Sequence, residues 1–117
     1  MVERKNFASP DEVREFPQGR LELVTVGGVT VGRFIGQPGW RWSTSVKPTV
    51  QTSSCQAAHL NCMVSGVLKV VMDDGQEVEC RPGDVVSLPP GHDAWVVGSE
   101  PVVLVDFQGM RDYAKPV

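Results

Sequence analysis

The residues best suited to chemistry lie in two short stretches, 53-SSCQAAH-59 and 91-GHD-93. The first contains Cys55 and His59, and the second contains His92, the only other histidine of the sequence. Thiolate and imidazole groups are ligands that zinc, copper and iron accept in proteins, and a cysteine can also react as a nucleophile. Cys55 and His59 are four positions apart, so their side chains share a face on a strand or on a helix. Spacing alone leaves open whether the pair performs chemistry or belongs to the core.

The composition is that of a folded protein with a single domain. The chain has 117 residues, of which 41% are hydrophobic and 21% are charged, and its formal net charge is −3. This acidic balance offers no basic surface to a phosphate backbone or an anionic membrane, so we expect neither nucleic acid nor membrane as a partner. Three cysteines without a C-x-x-C pair suit a reducing compartment. Because the first residues also lack the apolar stretch of a secretory signal, we expect a cytoplasmic protein.

Alternating apolar residues predict a series of short β-strands. A β-hairpin is predicted where Gly27-Gly28 separates residues 21–26 from residues 29–35, and a second hairpin is predicted at 73-DDG-75. The other predicted strands cover residues 59–72, 76–80, 85–88, 94–98 and 102–107. Short strands at close intervals, separated by glycine and proline turns, are typical of an all-β sandwich or barrel.

The N-terminal segment carries a helix signal. The stretch 9-SPDE-12 has the form of a capping box, with Ser9 at the N-cap and Pro10 at the first helical position. The sequence therefore predicts a short helix that ends before Pro17. We expect residues 1–19 to form an N-terminal arm that contains this helix.

Two further segments are harder to assign. The stretch 40-WRWS-43 alternates as a strand would, and residues 44–53 have the pattern of an irregular strand or loop. Residues 110–117 show little apolar patterning, so we expect them to form a C-terminal tail.

The stretch 83-GDVVSLPPG-91 resembles the second motif of the cupin superfamily, G-x5-P-x-G-x2-H-x3-N. Gly83, Pro89 and Gly91 occupy its framework positions, and Ala94 occupies the position of its histidine. This resemblance implies an all-β fold of the cupin type, a double-stranded β-helix or jelly-roll barrel, over residues 20–109. It also implies a homodimer, because small cupins commonly pair.

The first cupin motif ends in H-x-H-x3-E-x6-G, and it aligns on Gly66. Counting back from Gly66 puts His59 on the glutamate position, Cys55 on the second histidine position and Ser53 on the first. The sequence therefore departs from the usual ligand set of three histidines and one carboxylate. The resemblance implies that these positions point into the mouth of the barrel.

Cys55, His59 and His92 are the predicted metal ligands. In the arrangement that the resemblance implies, Cys55 and His59 face the interior together and His92 approaches from the opposite wall. One thiolate and two imidazoles suit a divalent transition metal with an open coordination position, namely zinc, iron, copper, nickel or manganese. The residues predicted to line a ligand pocket beside the metal are Trp42, Asp93 and Trp95, and Asp93 is also a candidate to orient an imidazole.

The leading hypothesis is a small cupin that presents a divalent metal to a small organic ligand. If the protein is an enzyme, the expected reactions are those of an oxygenase, an isomerase or a lyase, because a metal polarises a substrate oxygen or activates dioxygen. A second hypothesis is a metal-free binding or sensor domain. A third is a cupin that has lost its site and acts as a protein-interaction module.

Overall fold

The computed structural model describes residues 1–115, and its regular structure is mainly antiparallel β-strand. Within this range, no helix is long and apolar enough to cross a bilayer. The strands are β1 (Glu12–Phe16), β2 (Gly19–Val26), β3 (Val29–Gly36), β4 (His59–Ser65), β5 (Val67–Met72), β6 (Glu77–Cys80), β7 (Val85–Leu88), β8 (His92–Val97) and β9 (Val102–Asp106), and the helices are α1 (Trp42–Ser45) and α2 (Lys47–Val50). The all-β prediction is confirmed.

The strands form two antiparallel sheets. Six strands pair in the order β1-β2-β3-β9-β4-β7, and three pair in the order β6-β5-β8. The predicted hairpin between β2 and β3 turns at Gly27 and Gly28, both of which have positive φ angles, +58° and +76°. The predicted turn at Asp74-Gly75 joins β5 to β6. Glycine adopts these left-handed conformations without a steric penalty, which is why both turns can be recognised from sequence.

The hydrophobic core lies between the two sheets. Leu21, Phe34 and Leu104 contribute from the six-stranded sheet, and Leu68 and Val96 contribute from the three-stranded sheet. Buried residues alternate along β4, β8 and β9, as the period of two predicts, whereas β2 buries four consecutive residues. Complete burial of one such side chain stabilises a fold by roughly 1.5–3 kcal/mol.

The predicted N-terminal helix is wrong, because the segment forms β1 instead. The register of β1 with β2 runs from Glu12 opposite Leu23 to Phe16 opposite Gly19. The Asp11 carboxylate accepts a hydrogen bond from the backbone of Thr25 at 2.8 Å, so it holds the neighbouring hairpin and caps no helix. A single helical turn is costly to nucleate, whereas β2 offers an edge with which a strand can pair at once.

The strand-like alternation over residues 40–43 and the irregular strand or loop over residues 44–53 are wrong where residues 42–45 and 47–50 form α1 and α2, whereas residues 51–53 are irregular as predicted. Only Arg41 keeps strand-like pairing, as an isolated bridge with Trp95. Pro48 stands in the first turn of α2, where its missing N–H costs nothing. Trp42 is buried in the helix as it would be in a strand, so the apolar pattern could not distinguish the two.

The C-terminal tail packs against the barrel. Met110 and Tyr113 belong to the core, although the sequence predicted little structure after Gly109. The Arg14 guanidinium on β1 donates hydrogen bonds to the carbonyl oxygens of Met110, Arg111 and Tyr113 at 2.7–3.1 Å. Three charge-assisted hydrogen bonds fix this short segment where its own sequence specifies no helix or strand. The last two residues of the predicted tail lie outside the described range.

Candidate metal centre

Each of the three predicted ligands comes from a different part of the fold. His59 is the first residue of β4 in the six-stranded sheet, and His92 is the first residue of β8 in the three-stranded sheet. Cys55 precedes β4 and forms an isolated bridge with His92, in which its backbone N–H donates to the His92 carbonyl at 2.7 Å. This bridge ties Cys55 to the opposite sheet. The three side chains therefore converge where the two sheets meet, which we call the mouth of the barrel.

The three donor atoms at the mouth are buried and close together. One ligand atom from each of Cys55, His59 and His92 lies within 4.8 Å of the other two, and the residues are only 4%, 6% and 3% exposed. Cys55 Sγ is 3.7 Å from His59 Nε2. Metal bonds of about 2.0–2.3 Å place tetrahedral donors about 3.5 Å apart, so a contraction of about 1 Å closes the set. The donors thus fit a transition metal in number, spacing and chemistry.

Both imidazole rings are held with Nε2 available as a ligand. His59 Nδ1 is 2.8 Å from Asp106 Oδ2, and His92 Nδ1 is 2.9 Å from the Pro89 carbonyl oxygen. An ionised carboxylate and a carbonyl oxygen only accept hydrogen bonds, so each Nδ1 is the donor. Metal-binding histidines are usually oriented in this way by a partner on the other ring nitrogen.

Burial and charge act in opposite directions on the pKa values at the mouth. Burial raises the pKa of the Cys55 thiol, but hydrogen bonds with His59 and His92 and the charges of their rings lower it to about 6. For His59, burial lowers the pKa, whereas hydrogen bonds and charge from Asp106 and Cys55 raise it to about 9. Without a metal, the pair is therefore a thiolate and an imidazolium at neutral pH. Metal binding would replace the proton on His59 Nε2.

Two cavities adjoin the mouth, and Trp42 and Tyr113 line both of them. The first, which we call the inner cavity, has a volume of about 40 Å³, and His59 and His92 form part of its wall. The second, which we call the outer cleft, has a volume of about 370 Å³, and Cys55 forms part of its wall. The predicted ligands thus lie at the boundary between a small internal space and a larger cleft.

Of the three predicted pocket residues, Trp42 lines these cavities, whereas Asp93 and Trp95 do not. On β8 the buried positions are His92, Ala94 and Val96, so the two intervening residues point away from the core. Trp95 packs beneath the Arg41 guanidinium at 4.1 Å from the ring centroid. The Asp93 carboxylate accepts from the backbone N–H groups of Ser43 and Ala94 and makes no contact with an imidazole.

Asp106 takes the orienting role that the sequence suggested for Asp93. It is the last residue of β9, it is 0% exposed, and besides His59 it accepts from the backbone of Gln108 at 2.8 Å. A signal for it exists in the sequence, because it follows Val102 and Leu104 on the inward face of an otherwise apolar strand. A lone carboxylate at an inward position needs a buried partner.

Tyr113 also lies at the site, although the sequence did not predict it there. Its ring packs edge-on against His59 with centroids 5.6 Å apart, and burial raises its pKa well above the ordinary value. Nothing in its local sequence indicates this place, since the segment has no periodic pattern.

A barrel of two antiparallel sheets with potential metal ligands at its mouth defines a cupin-type protein. The family model of the EutQ-like cupin domain matches residues 29–104. The chain therefore belongs to the cupin superfamily, within the EutQ-like cupin domain family. Comparison with curated proteins found no match.

Solved structures with the same fold include enzymes and proteins of unknown function. The polyketide cyclase RemF from Streptomyces resistomycificus is 16% identical, with a TM-score of 0.63, and the alignment covers 91% of this chain and 78% of RemF. A protein of unknown function from Rhizobium leguminosarum is 19% identical, with a TM-score of 0.62 and coverage of 92% and 98%. A sugar phosphate isomerase from Silicibacter pomeroyi is 18% identical, with a TM-score of 0.56 and coverage of 77% and 58%. At these identities the similarity establishes the fold.

Proposed function

We propose that this cupin binds one divalent transition metal through Cys55, His59 and His92 and presents it to a small organic molecule. The observation that carries the proposal is the paired orientation of the two imidazoles. Asp106 and the Pro89 carbonyl each hold an Nδ1, which leaves both Nε2 atoms beside the Cys55 thiolate. A core histidine needs a partner for its polar atoms, but it needs no second histidine and no thiolate within 4.8 Å.

The ligand set favours a metal of borderline softness. Thiolate selects zinc, copper or iron over magnesium or calcium, and imidazole suits nickel as well. Manganese, which prefers oxygen ligands, is the least favoured member of the predicted group. A metal held by these residues would act as a Lewis acid toward an oxygen of the bound molecule.

The chain itself supplies the surroundings in which such a metal works. Asp106 fixes the tautomer of His59, and the apolar walls of the inner cavity keep bulk water away from the ligands. The outer cleft provides room for an organic molecule next to Cys55. Isomerase and lyase reactions can use a metal in this way, and oxygenases can use one to activate dioxygen. Two proteins with the same fold are named as a polyketide cyclase and a sugar phosphate isomerase.

The experiment that tests this proposal is elemental analysis of protein purified without an affinity tag or chelator. We expect close to one equivalent of a transition metal per chain, and we expect His59→Ala to lose it while the far-ultraviolet circular dichroism remains that of a β fold. Full metal content in His59→Ala, or no metal in the wild type even after reconstitution, would rule the proposal out.

Cys55→Ser has a matched control in Cys62→Ser. Both residues lie on or next to β4, but Cys62 is on the outward side of the strand, away from the mouth. We expect Cys55→Ser to weaken metal binding and Cys62→Ser to leave it unchanged. Equal metal affinity in the two variants would remove Cys55 from the ligand set.

A second function is favoured by one specific feature, the chain of contacts from Cys55 through His59 to Asp106. A thiolate beside a histidine that is oriented by a carboxylate is the arrangement of an activated nucleophile. If the protein contains no metal, the Cys55 thiolate is the reactive group, and a mass spectrum after exposure to a small electrophile would show a single adduct at Cys55.

We also propose that the chain forms a homodimer in the cytoplasm. Leu60, Val64, Val85 and Phe107, on or just after neighbouring strands of the six-stranded sheet, are exposed apolar side chains. Light scattering should give twice the mass of one chain, and Val85→Asp should yield a monomer. If the wild type is monomeric at micromolar concentration, the exposed face is available to a different protein.

A further inference from the structure

The C-terminal segment that follows β9 forms one wall of both cavities at the mouth. We call residues 109–115 the strap, and none of them belongs to a helix or a strand. Met110 and Tyr113 line the inner cavity. The strap residues that line the outer cleft are Gly109, Arg111, Asp112, Tyr113 and Ala114.

The three candidate ligands are buried behind such walls. Cys55, His59 and His92 are each no more than 6% exposed. The inner cavity, at about 40 Å³, is too small for an organic molecule of ordinary size. A molecule therefore reaches the donor atoms only if part of a wall moves, and the part that moves is the one that is held least firmly.

The strap is hydrogen-bonded to the barrel by a single residue. Its backbone-to-backbone hydrogen bonds, in the part of the chain that the structure describes, join strap residues to one another at 3.2 and 3.3 Å. Among residues 1–115, every hydrogen bond between the strap and the rest of the chain comes from the Arg14 guanidinium. Its acceptors are the carbonyl oxygens of Met110, Arg111 and Tyr113.

The other wall of the outer cleft is held more firmly. Residues 41–54, which include α1 and α2, are anchored to β8 at both ends by backbone hydrogen bonds. The Val96 N–H donates to the Trp40 carbonyl at 3.0 Å, and the Cys55 N–H donates to the His92 carbonyl at 2.7 Å. Movement of this wall would break backbone pairing with a central element of the barrel, whereas movement of the strap would break the hydrogen bonds of one side chain.

Arg14 is itself well positioned for this contact. Its side chain is only 10% exposed, and the Glu12 carboxylate accepts from its Nε at 2.7 Å. It lies on β1, the edge strand of the six-stranded sheet. A guanidinium has five N–H donors in a fixed plane, so it can bond several carbonyl oxygens at once in a way that an ammonium group does not reproduce.

Gly109 is the point at which the strap can turn. Its φ angle is +89°, a left-handed conformation that glycine adopts without a steric penalty. A Cβ at this position would collide with the Ala58 carbonyl. Rotation at Gly109 would move the residues beyond it away from the mouth without disturbing β9.

We propose that the strap opens about Gly109 to admit a small molecule to the mouth, and that Arg14 is the positioning residue that holds the strap closed. In the closed arrangement the Tyr113 ring packs edge-on against His59, with centroids 5.6 Å apart. Opening therefore uncovers His59 together with the cleft beside Cys55. The inference goes beyond the proposed function, because access to Cys55 can be measured whether or not a metal binds.

The test measures how fast iodoacetamide labels Cys55 in metal-free protein at pH 8. This pH lies well above the Cys55 pKa of about 6, so a small change of pKa leaves the thiolate fraction nearly constant. We expect Arg14→Gln to be labelled at least tenfold faster than the wild type. Arg14→Lys should lie between the two, because lysine keeps the charge but cannot bond three carbonyl oxygens in the same plane.

Two controls separate opening of the strap from a general loss of stability. Cys80 is buried at the end of β6, so its labelling reports opening of the whole barrel and should keep the wild-type rate in both Arg14 variants. Arg20→Gln removes an arginine that pairs with Glu15 and Glu22, and it should leave the Cys55 rate unchanged. An unchanged Cys55 rate in both Arg14 variants, or an equal increase at Cys80, would overturn the role of Arg14.

The wild-type protein provides a test that needs no variant. Urea accelerates an opening reaction in proportion to the surface that the opening exposes. Movement of seven residues exposes far less surface than global unfolding. We therefore expect Cys55 labelling to change little with urea below the unfolding transition and Cys80 labelling to rise steeply. Equal urea dependence at the two cysteines would mean that Cys55 becomes accessible only when the barrel unfolds, which would overturn the strap.

Metal content measured on the same samples separates this inference from the proposed function. Faster labelling of Cys55 in Arg14→Gln, in a protein that takes up no metal, would overturn the metal proposal alone. If the protein binds metal, Arg14→Gln should also release it to a chelator at least tenfold faster with unchanged stoichiometry. Wild-type rates of both labelling and metal release in that variant would overturn the strap alone.

Discussion

The two buried cysteines of the chain, Cys55 and Cys80, occupy opposite chemical situations. Each is no more than 4% exposed, and each lies close to a strand end of the same barrel. At Cys80, burial and the negative charge of Asp84 both raise the thiol pKa. At Cys55, burial acts in the same direction, but His59 and His92 outweigh it and lower the pKa to about 6.

The difference teaches that burial alone makes a cysteine inert and that its partners make it reactive or metal-binding. Asp106 extends the effect at Cys55, since it keeps His59 oriented and favours its charged form. The region around Cys80 has no such imidazole. The candidate site is therefore a property of the whole contact chain at the mouth of the barrel.

The largest expected difference between the two regions is the pH at which each thiol reacts. In metal-free protein, iodoacetamide should label Cys55 with a half-maximal rate near pH 6, because the lowered pKa keeps the thiolate above that pH and loses it as the pH falls. Labelling of Cys80 should still be rising at pH 9, because burial and Asp84 raise its thiol pKa, so its midpoint lies well above that of Cys55. Peptide mass spectrometry after timed labelling measures both sites in one sample.

A chelator provides the control for this comparison. Bound metal should protect Cys55 and leave Cys80 unaffected, because the metal occupies the thiolate. A Cys55 midpoint near the ordinary value for a thiol, or identical labelling with and without metal, would contradict the electrostatic account of the mouth.

The second prediction removes the carboxylate that orients His59. Asp106→Asn keeps the shape of the side chain but removes its charge, so we expect the metal affinity to fall about 10- to 100-fold. Asp93→Asn is the matched control, because Asp93 contacts backbone N–H groups and Arg41 but no imidazole. Competition with a chelator of known affinity measures both variants, and equal losses would show that the effect is not specific to His59.

The third prediction compares Gly109, beside the mouth of the barrel, with Gly83, close in sequence to Cys80. Gly109 and Gly83 have nearly equal φ angles, +89° and +91°. A Cβ on Gly109 would collide with the Ala58 carbonyl and come within 3.1 Å of His59 Nδ1, whereas a Cβ on Gly83 would meet nothing within 4 Å. Both alanine variants carry the strain of a left-handed residue, and Gly109→Ala should be less stable than Gly83→Ala by about 1–3 kcal/mol from overpacking.

Urea unfolding of both variants at one pH gives this difference directly. Gly109→Ala should also weaken metal binding, because relief of the collision displaces Ala58 and His59. If the two variants unfold at the same urea concentration, the close approach of the C-terminal segment to the site is wrong.

The smallest expected effect is on the pH dependence of metal-free stability. The His59 pKa, raised to about 9, contributes stability that is fully present below its unfolded value near 6.5 and is lost as pH rises through 9. The lowered Cys55 pKa contributes stability that is present above about 9 and is lost as pH falls through 6. In the wild type the two contributions largely cancel, because folded and unfolded chains bind similar numbers of protons between pH 6.5 and 9.

Cys55→Ser should expose the contribution of His59. We expect this variant to lose on the order of 1 kcal/mol of stability between pH 6.5 and 9, the amount that about one unit of pKa shift provides. Cys80→Ser should keep the flat profile of the wild type. A flat profile in Cys55→Ser would mean that Asp106 alone does not hold the proton on His59.

The sequence determined the strands from β2 onward, their turns and the family. The Gly27-Gly28 and Asp74-Gly75 turns and the 83-GDVVSLPPG-91 motif indicate local backbone conformations, and period-two alternation indicates which face of a strand is buried. The same local information was enough to select Cys55, His59 and His92, which the fold brings within 4.8 Å.

Only the tertiary structure decided which residues surround Cys55, His59 and His92. The capping box at Ser9 begins no helix, because the residues after it pair with β2. On β8, the alternation of inward and outward side chains places Asp93 and Trp95 on the outward face. Asp106 and Tyr113 reach His59 from 47 and 54 residues further along the chain. Contacts between elements depend on strand register and on how the sheets face each other, and these are set by the burial of the whole core. No local pattern contains them, because a short stretch of sequence specifies its own periodicity and not the partner against which it packs.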